Sequence, residues 1–330
     1  MGMHPESSSI TLRRDLSQTA QEFDDELAAG GLIADRVAPI NKVGEATAGY
    51  PIINRENFQT EDDTKRNDDG TYNFIDGKFG KGTYSVDDHG LSTILDDAAK
   101  RRYATFLDFE NAMTRILQWR IKMARERRTA TMVMDTAVYT PNNAATTWAT
   151  AASADPAADV EAGVLAIKQN SGIPRSMISF ICPRTDFNLL CKCAAIIDQV
   201  KYTFSGNDGV RPAYLKPKHI AAILELKEVI VPDGAYNSKP EGETASMTSV
   251  WGSGKAMLAV LAKGPDTPLE FPAAWRTMLW TEDSPIFPVF ERYYSNDRRG
   301  EVLRARAQTD EVSTAEANLL TYMIDTLAAS

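Results

Sequence analysis

Between Phe106 and Met134 the chain runs without Pro or Gly and places apolar residues at Phe106, Phe109, Met113, Ile116, Leu117, Met123, Ala124 and Met134. That three-and-four spacing lines one face of a helix. Arg120 and Arg127 interrupt the stripe. A helix of roughly 30 residues would be about 45 Å long, more than the core of a compact domain needs, so the segment is predicted to act as a strut. Asp87-Asp88-His89-Gly90-Leu91 and Asp96-Asp97 precede it. Their carboxylates suit free N–H groups and the positive end of a helix dipole, which predicts an acidic helix entrance.

Upstream, Leu12, Leu16 and Phe23 are compatible with a short amphipathic helix that Gly30-Gly31 breaks. The apolar run from Leu32 to Ile40 carries one charged pair, Asp35-Arg36, and ends extended at Pro39. From Gly49 to Thr83 the acidic clusters Glu61-Asp62-Asp63 and Asp68-Asp69-Gly70 surround short alternating pieces with too little apolar surface for a core. A two-stranded projection turning at Asp69-Gly70 or Asp76-Gly77 is predicted. Such hairpins are marginal alone, so a neighbouring chain is expected to order this one.

Downstream, the Ala-, Thr- and Asn-rich stretch from Pro141 to Ser153 reads as a loop. Asp155-Pro156 then supplies an N-cap and a proline at the first helical position, for a helix to about Gln169 stopped by Ser171-Gly172. A strand from Met177 to Cys182, a helix from Pro183 to about Ala195, a loop at Ser205 to Gly209, a short helix after Pro217 and strands at Glu228 to Val231 and Lys255 to Leu261 make an α/β subdomain. From Trp275 the pattern is strand-like, with segments at Arg276 to Trp280, Ile286 to Tyr294 and Val302 to Ala307 whose apolar faces need the long helix as partner.

A chain of 330 residues, 43% hydrophobic and 25% charged, has room for two folded domains. Cys182, Cys191 and Cys193 are an odd set, which argues for reduced thiols over a disulfide framework. No apolar run approaches the roughly 20 residues of a membrane span, and the first residues lack a signal-peptide pattern, so neither secretion nor a membrane partner is expected. The formal charge of −9 argues against chain-wide wrapping of nucleic acid and leaves a local basic face open.

Little in the sequence carries reaction chemistry. There is no phosphate-binding loop, GxGxxG, HExxH or GxSxG, and His4, His89 and His219 are far apart. Cys191-Lys192-Cys193 has no second pair at zinc spacing and reads as buried thiols within an amphipathic helix. The acidic pairs could form a carboxylate dyad or cation site, against the simpler helix-start role. The run Arg115, Arg120, Lys122, Arg125, Arg127, Arg128 could touch phosphates, line a solvated helix face, or pair with acids of neighbouring subunits. No catalytic, cofactor-binding or metal residue is assigned, and no enzyme is expected.

The order of these parts resembles the major capsid proteins of tailed bacteriophages, which share the Hong Kong 97-type fold. The resemblance rests on Gly31-Leu32-Ile33-Ala34-Asp35-Arg36-Val37-Ala38-Pro39, the hairpin-like extension, and Tyr84-Ser85-Val86-Asp87-Asp88-His89-Gly90-Leu91 leading to Asp96-Asp97 and the long helix. It continues in Ile173-Pro174-Arg175, Pro183 and Val250-Trp251-Gly252, and so covers nearly the whole chain.

It implies an α+β protein with a long spine helix, a peripheral β-sheet, an extended β-hairpin loop and an axial α/β domain. The segments would be an N-terminal arm over 1–46, the extended loop over 47–95, the peripheral domain with spine helix over 96–154, the axial domain over 155–263, and peripheral strands with the C-terminus over 264–330. The implied role is self-assembly as pentamers and hexamers into an icosahedral shell of the virion, built in the host cytoplasm around double-stranded DNA held non-specifically. Portal and scaffolding or decoration proteins are the expected further partners. An encapsulin-like compartment enclosing a cargo enzyme is the alternative of the same fold. Some members crosslink Lys to Asn; Lys78 or Lys81 with Asn296 would be the pair here, without an identifiable acid catalyst, so no crosslink is expected.

Overall fold

A computed structural model describes residues 11–12, 31–53, 65, 70, 79–103, 109–203, 215–240 and 242–329. After β1 (Thr11–Leu12) come a four-residue helix α1 (Ala34–Val37), β2 (Ile40–Val43), and the antiparallel arms β3 (Thr47–Ile53) and β4 (Phe79–Ser85). Next follow β5 (Asp87–Asp96), α2 (Asp97–Tyr103), the long helix α3 (Phe109–Val133), β6 (Pro141–Ala144) and α4 (Pro156–Ser171). The next stretch holds β7 (Ile178–Ile181), α5 (Arg184–Leu190), α6 (Ala194–Thr203), α7 (Pro217–Ile223), β8 (Glu228–Ile230), β9 (Ala235–Asn237), β10 (Met247–Ser249) and β11 (Lys255–Val260). The chain ends in β12 (Trp275–Trp280), β13 (Val289–Ser295), β14 (Gly300–Ser313) and β15 (Thr321–Ala329).

Two sheets organise this mixed α+β fold. The first has the order β1-β13-β14-β12-β2, with β5 along the other edge of β14, and the second has the order β6-β15-β11-β7-β8. Helix α3, about 37 Å long at 1.5 Å per residue, lies on the first sheet. There Leu117 and Ile121 pack against Leu95, Phe290, Leu303 and Ala305. The expected partnership of long helix and late strands is present. A larger core continues from Ala130 and Val133 at the end of α3, through Val37 and Trp275, into the second sheet.

The second sheet is covered by α4, whose ends follow the sequence closely. Asp155 accepts the Ala158 N–H at 3.2 Å, and Gly172 closes the helix in the left-handed region at φ 61°. Inside the helix, a Cβ at Gly163 would stand 2.5 Å from Leu258 Cδ1 and 2.6 Å from Tyr322 Cδ1, so glycine sets how closely α4 approaches the sheet.

Several expectations are corrected. Asp87 to Asp96 is a ten-residue strand, not a helix entrance. It pairs with β14 from Asp96↔Gly300 to Asp87↔Thr309, and this unbroken ladder outweighs local helix-start chemistry. The extended loop expected over 47–95 accordingly divides: the hairpin arms end at Ser85, and β5 is part of the first sheet. Pro141–Ala144 is a strand, not a loop, because β15 offers it a parallel edge.

The helix expected from Pro183 to Ala195 breaks after Leu190; the Ala194 N–H bonds to Ala151 O at 2.9 Å, a tertiary partner that starts α6 afresh. Within the segment expected to hold peripheral strands and the C-terminus, 264–330, β12 to β14 lie in the first sheet and β15 sits between β6 and β11 in the second. Thr11–Leu12 is a strand on β13. Leu16, Phe23, Phe106, the 205–209 loop and the proposed hairpin turns, apart from Gly70, lie outside the described residues.

Because Phe290 is fully buried at the α3 contact, Phe290→Ala should lower the stability of the fold by about 3–5 kcal/mol. Urea unfolding of the protein measures this, and a loss below about 1 kcal/mol would show that the contact is not a tight core.

Candidate assembly site

A four-residue helix has almost no stability of its own, and α1 has no side-chain cap from its N-cap residue Ile33. Helix α3 provides one from 93 residues away in sequence. The Glu126 carboxylate accepts the Ile33 N–H at 3.0 Å and the Ala34 N–H at 2.7 Å, and also the Trp251 indole N–H at 2.6 Å. At the other end of α1, Arg125 donates to Ala38 O at 2.7 Å and to Thr277 Oγ1 at 3.1 Å, and pairs with Asp35. Arg128 makes a two-pronged bond to Glu311 at 2.7 and 3.0 Å. The Arg127 guanidinium lies 4.4 Å from the Tyr236 ring centre. Successive residues on a helix point about 100° apart, so four in a row gather α1, β9, β14 and the loop before β11 around one axis.

Burial drives the electrostatics of this clamp. Desolvation pushes the Glu126 carboxyl above the ordinary glutamate value, against the pull of the Ile33, Trp251 and Ala34 N–H bonds and of Arg125. Burial also acts upward on Asp35, but Arg125 and Lys122 outweigh it and its pKa is lowered. The Asp35 side chain keeps 64% of its surface exposed, so solvent screens much of that pair.

The described hairpin arms are anchored to the first sheet near Tyr50, Tyr84 and Ser85. Tyr50 and Tyr84 stack with ring centres 6.5 Å apart and share a small core with Met278 and Val312. Tyr50 OH donates to Ser313 O at 2.8 Å, and the Ser85 N–H to Asp310 Oδ2 at 2.9 Å. On the described arms Tyr50 and Tyr84 are the buried residues, and a two-stranded ribbon with so little core is marginal alone.

No family model and no curated protein matches the sequence. Solved structures do. A phage-related protein from Bordetella bronchiseptica RB50 superposes at a TM-score of 0.69 and 19% identity, over 96% of this chain and 98% of that one. The capsid of cyanophage P-SCSP1u matches at 0.55 and 10% identity over 91% and 88%. That of Ralstonia phage GP4 matches at 0.53 and 11% over 89% and 87%. The chain has the phage capsid-protein fold.

Within this capsid fold the residues singled out from sequence part company. Asp87 and Asp88 lie exposed on β5, Asp96 ends that strand, and Asp97 begins α2 and accepts from Tyr294 OH at 3.2 Å. The two pairs therefore stand at opposite ends of a ten-residue strand and form no dyad. Among the described residues no group of three or more His, Cys, Asp or Glu side chains is placed to hold a metal ion.

Of the basic run, Arg125 is buried and Arg128 half-buried, both in pairs within the chain, which corrects the expectation of a wholly solvated or subunit-pairing face. Ile116 and Ala124, expected on the apolar stripe, are exposed, while Thr114, Gln118, Arg125, Glu126 and Thr129 are buried. Cys191 and Cys193 lie in the turn between α5 and α6, and burial pushes the Cys191 thiol up to about 11. His219 accepts the Lys216 N–H at the start of α7, and His89 sits on β5. Lys81 and Asn296 are exposed; Lys78 and His4 lie outside the described residues. Neither Glu126 nor Trp251 was marked as a partner by the sequence, since one is a lone acid in an arginine run and the other is 125 residues away.

A glutamate whose folded pKa is raised binds more protons folded than unfolded between the ordinary and the raised value, so its contribution to stability falls as pH rises through that window. Thermal unfolding from about pH 4 to 7 should show this slope in the natural chain and a flatter profile in Glu126→Gln. Glu126→Leu, which orphans three donors, should lose about 1–3 kcal/mol per donor at every pH. An unchanged slope in Glu126→Gln would remove Glu126 as its source.

Proposed function

We propose that the chain is the major capsid protein of a tailed phage, whose copies join as pentamers and hexamers into an icosahedral shell around double-stranded DNA. The observation that carries this reading is the agreement of fold with phage capsids over about nine-tenths of the chain's length. In this reading α3 is the spine, the first sheet belongs to the peripheral domain, the second sheet is the core of the axial domain, and the β3/β4 arms are the extended loop. The arms bury little of themselves, and lying across the next subunit would supply the missing apolar cover. Repeated modestly over many copies, such exchanged contacts close a symmetric shell without any catalytic step. Assembly would take place in the host cytoplasm, with portal and scaffolding or decoration proteins as partners. A compartment shell around a cargo enzyme is the less supported reading, because the matched structures above are phage proteins.

Expression followed by electron microscopy and light scattering tests the proposal. Closed shells or capsomers are the expected outcome; a monodisperse monomer at all concentrations and salt conditions would overturn it. Replacing residues 52–80 by a short Gly-Ser linker keeps Tyr50 and Tyr84 in place. That variant should unfold as cooperatively as the natural chain and form no shells, whereas shells built from it would take the hairpin out of the mechanism.

A further inference from the structure

The outer side of α3 carries a groove that shares Arg127 and Tyr236 with the clamp and is otherwise unused by it. It lies between α3 and the β9/β10 ribbon, holds about 560 Å³, and is lined by Trp119, Arg120, Met123, Arg127, Tyr236 and Met247, with Lys239 also in its wall. Ala124 and Arg127 border a second depression that runs past Arg128 and Met132 to Asp135 and Glu311. Together they follow α3 from Trp119 to Met132, about 20 Å or the length of roughly six extended residues.

The chemistry of the groove is unlike the rest of the helix. Arg120 is exposed, and the Arg127 guanidinium lies over an aromatic ring instead of a carboxylate. Met247 leaves 67% of its surface in solvent and faces the same depression as Met123 and Trp119. Flexible thioethers beside an indole adapt to varied apolar side chains, and unneutralised guanidinium groups attract carboxylates. In a chain of net charge −9, a cationic trough with an apolar floor is a local reversal of sign.

We propose that this groove docks a short acidic peptide of a separate protein, carrying one large apolar side chain that enters among Trp119, Met123 and Met247 while its carboxylates meet Arg120 and Arg127. A nucleic acid fits less well. Arg127 occupies one face of Tyr236, and Asp135 at the far end opposes a phosphate backbone continuing along the helix, whereas a short peptide can keep its carboxylates at the Arg120 and Arg127 end. The inference does not depend on shell formation, since the groove is built within one chain.

The test is fluorescence anisotropy of a labelled peptide of about six residues, aspartates and glutamates around one phenylalanine, titrated with the intact protein at low and high salt. Saturable binding that weakens with salt is expected, and it should be at least about tenfold weaker in Arg120→Glu and in Met247→Ser. Arg298→Glu, at an exposed turn away from α3 in sequence, should bind as the natural chain does. Both groove positions are solvent-exposed, and thermal unfolding confirms that each variant folds. Absence of binding by the natural chain, equal binding in Arg120→Glu, or tighter binding of an oligothymidylate lost in the same variants would each overturn the proposal. So would a peptide-blind protein whose association state changes in Arg120→Glu, because the occupant would then be a second copy.

Discussion

Glu126 sits fully buried in the middle of α3, where a carboxylate is tolerated only if donors occupy its oxygens. Ile33, Ala34 and Trp251 provide those donors, and each comes from a different distance along the chain. The dependence runs both ways. Without Glu126 the helix α1 has no cap at its N-terminus, and without α1 and Trp251 the carboxylate is buried without partners. The segment before β2 and the loop before β11 are therefore positioned by the same group.

Arg125 and Arg128 extend that arrangement to the first sheet, through Thr277 on β12 and Glu311 on β14. β14 is the strand on which this sheet depends, because it pairs with β13 and β12 as well as β5. Its far end also receives the base of the hairpin through Ser313 and Asp310. The long helix is thus clamped to one long strand, a second sheet is attached through a shared core, and the described hairpin arms join the frame at Tyr50 and Ser85.

The division of labour among the arginines follows from helix geometry. Residues about 100° apart around the axis cannot all face one partner, so Arg125 turns inward, Arg128 meets β14, and Arg120 and Arg127 remain on the groove side. A run that looks uniform in sequence thus has three environments: a buried clamp, a half-buried sheet pair and a cationic trough.

Local chemistry was enough to define α4, with its aspartate cap and glycine stop, the strands β7, β8 and β11, and the existence of the long helix. Those features rest on groups within a few residues of one another, and the order of such parts was already sufficient to resemble a capsid protein. The strand nature of Asp87 to Asp96 and of Pro141 to Ala144, the break at Cys191, and the placement of β15 in the second sheet were not readable in this way. Each depends on a backbone partner far along the chain, β14, β15, Ala151 or β11, and a hydrogen-bonding edge leaves no periodic trace in the segment that joins it. The same holds for Glu126. Its charge is visible in the sequence, but its burial and its three donors exist only once the chain has brought Ile33 and Trp251 to the side of α3.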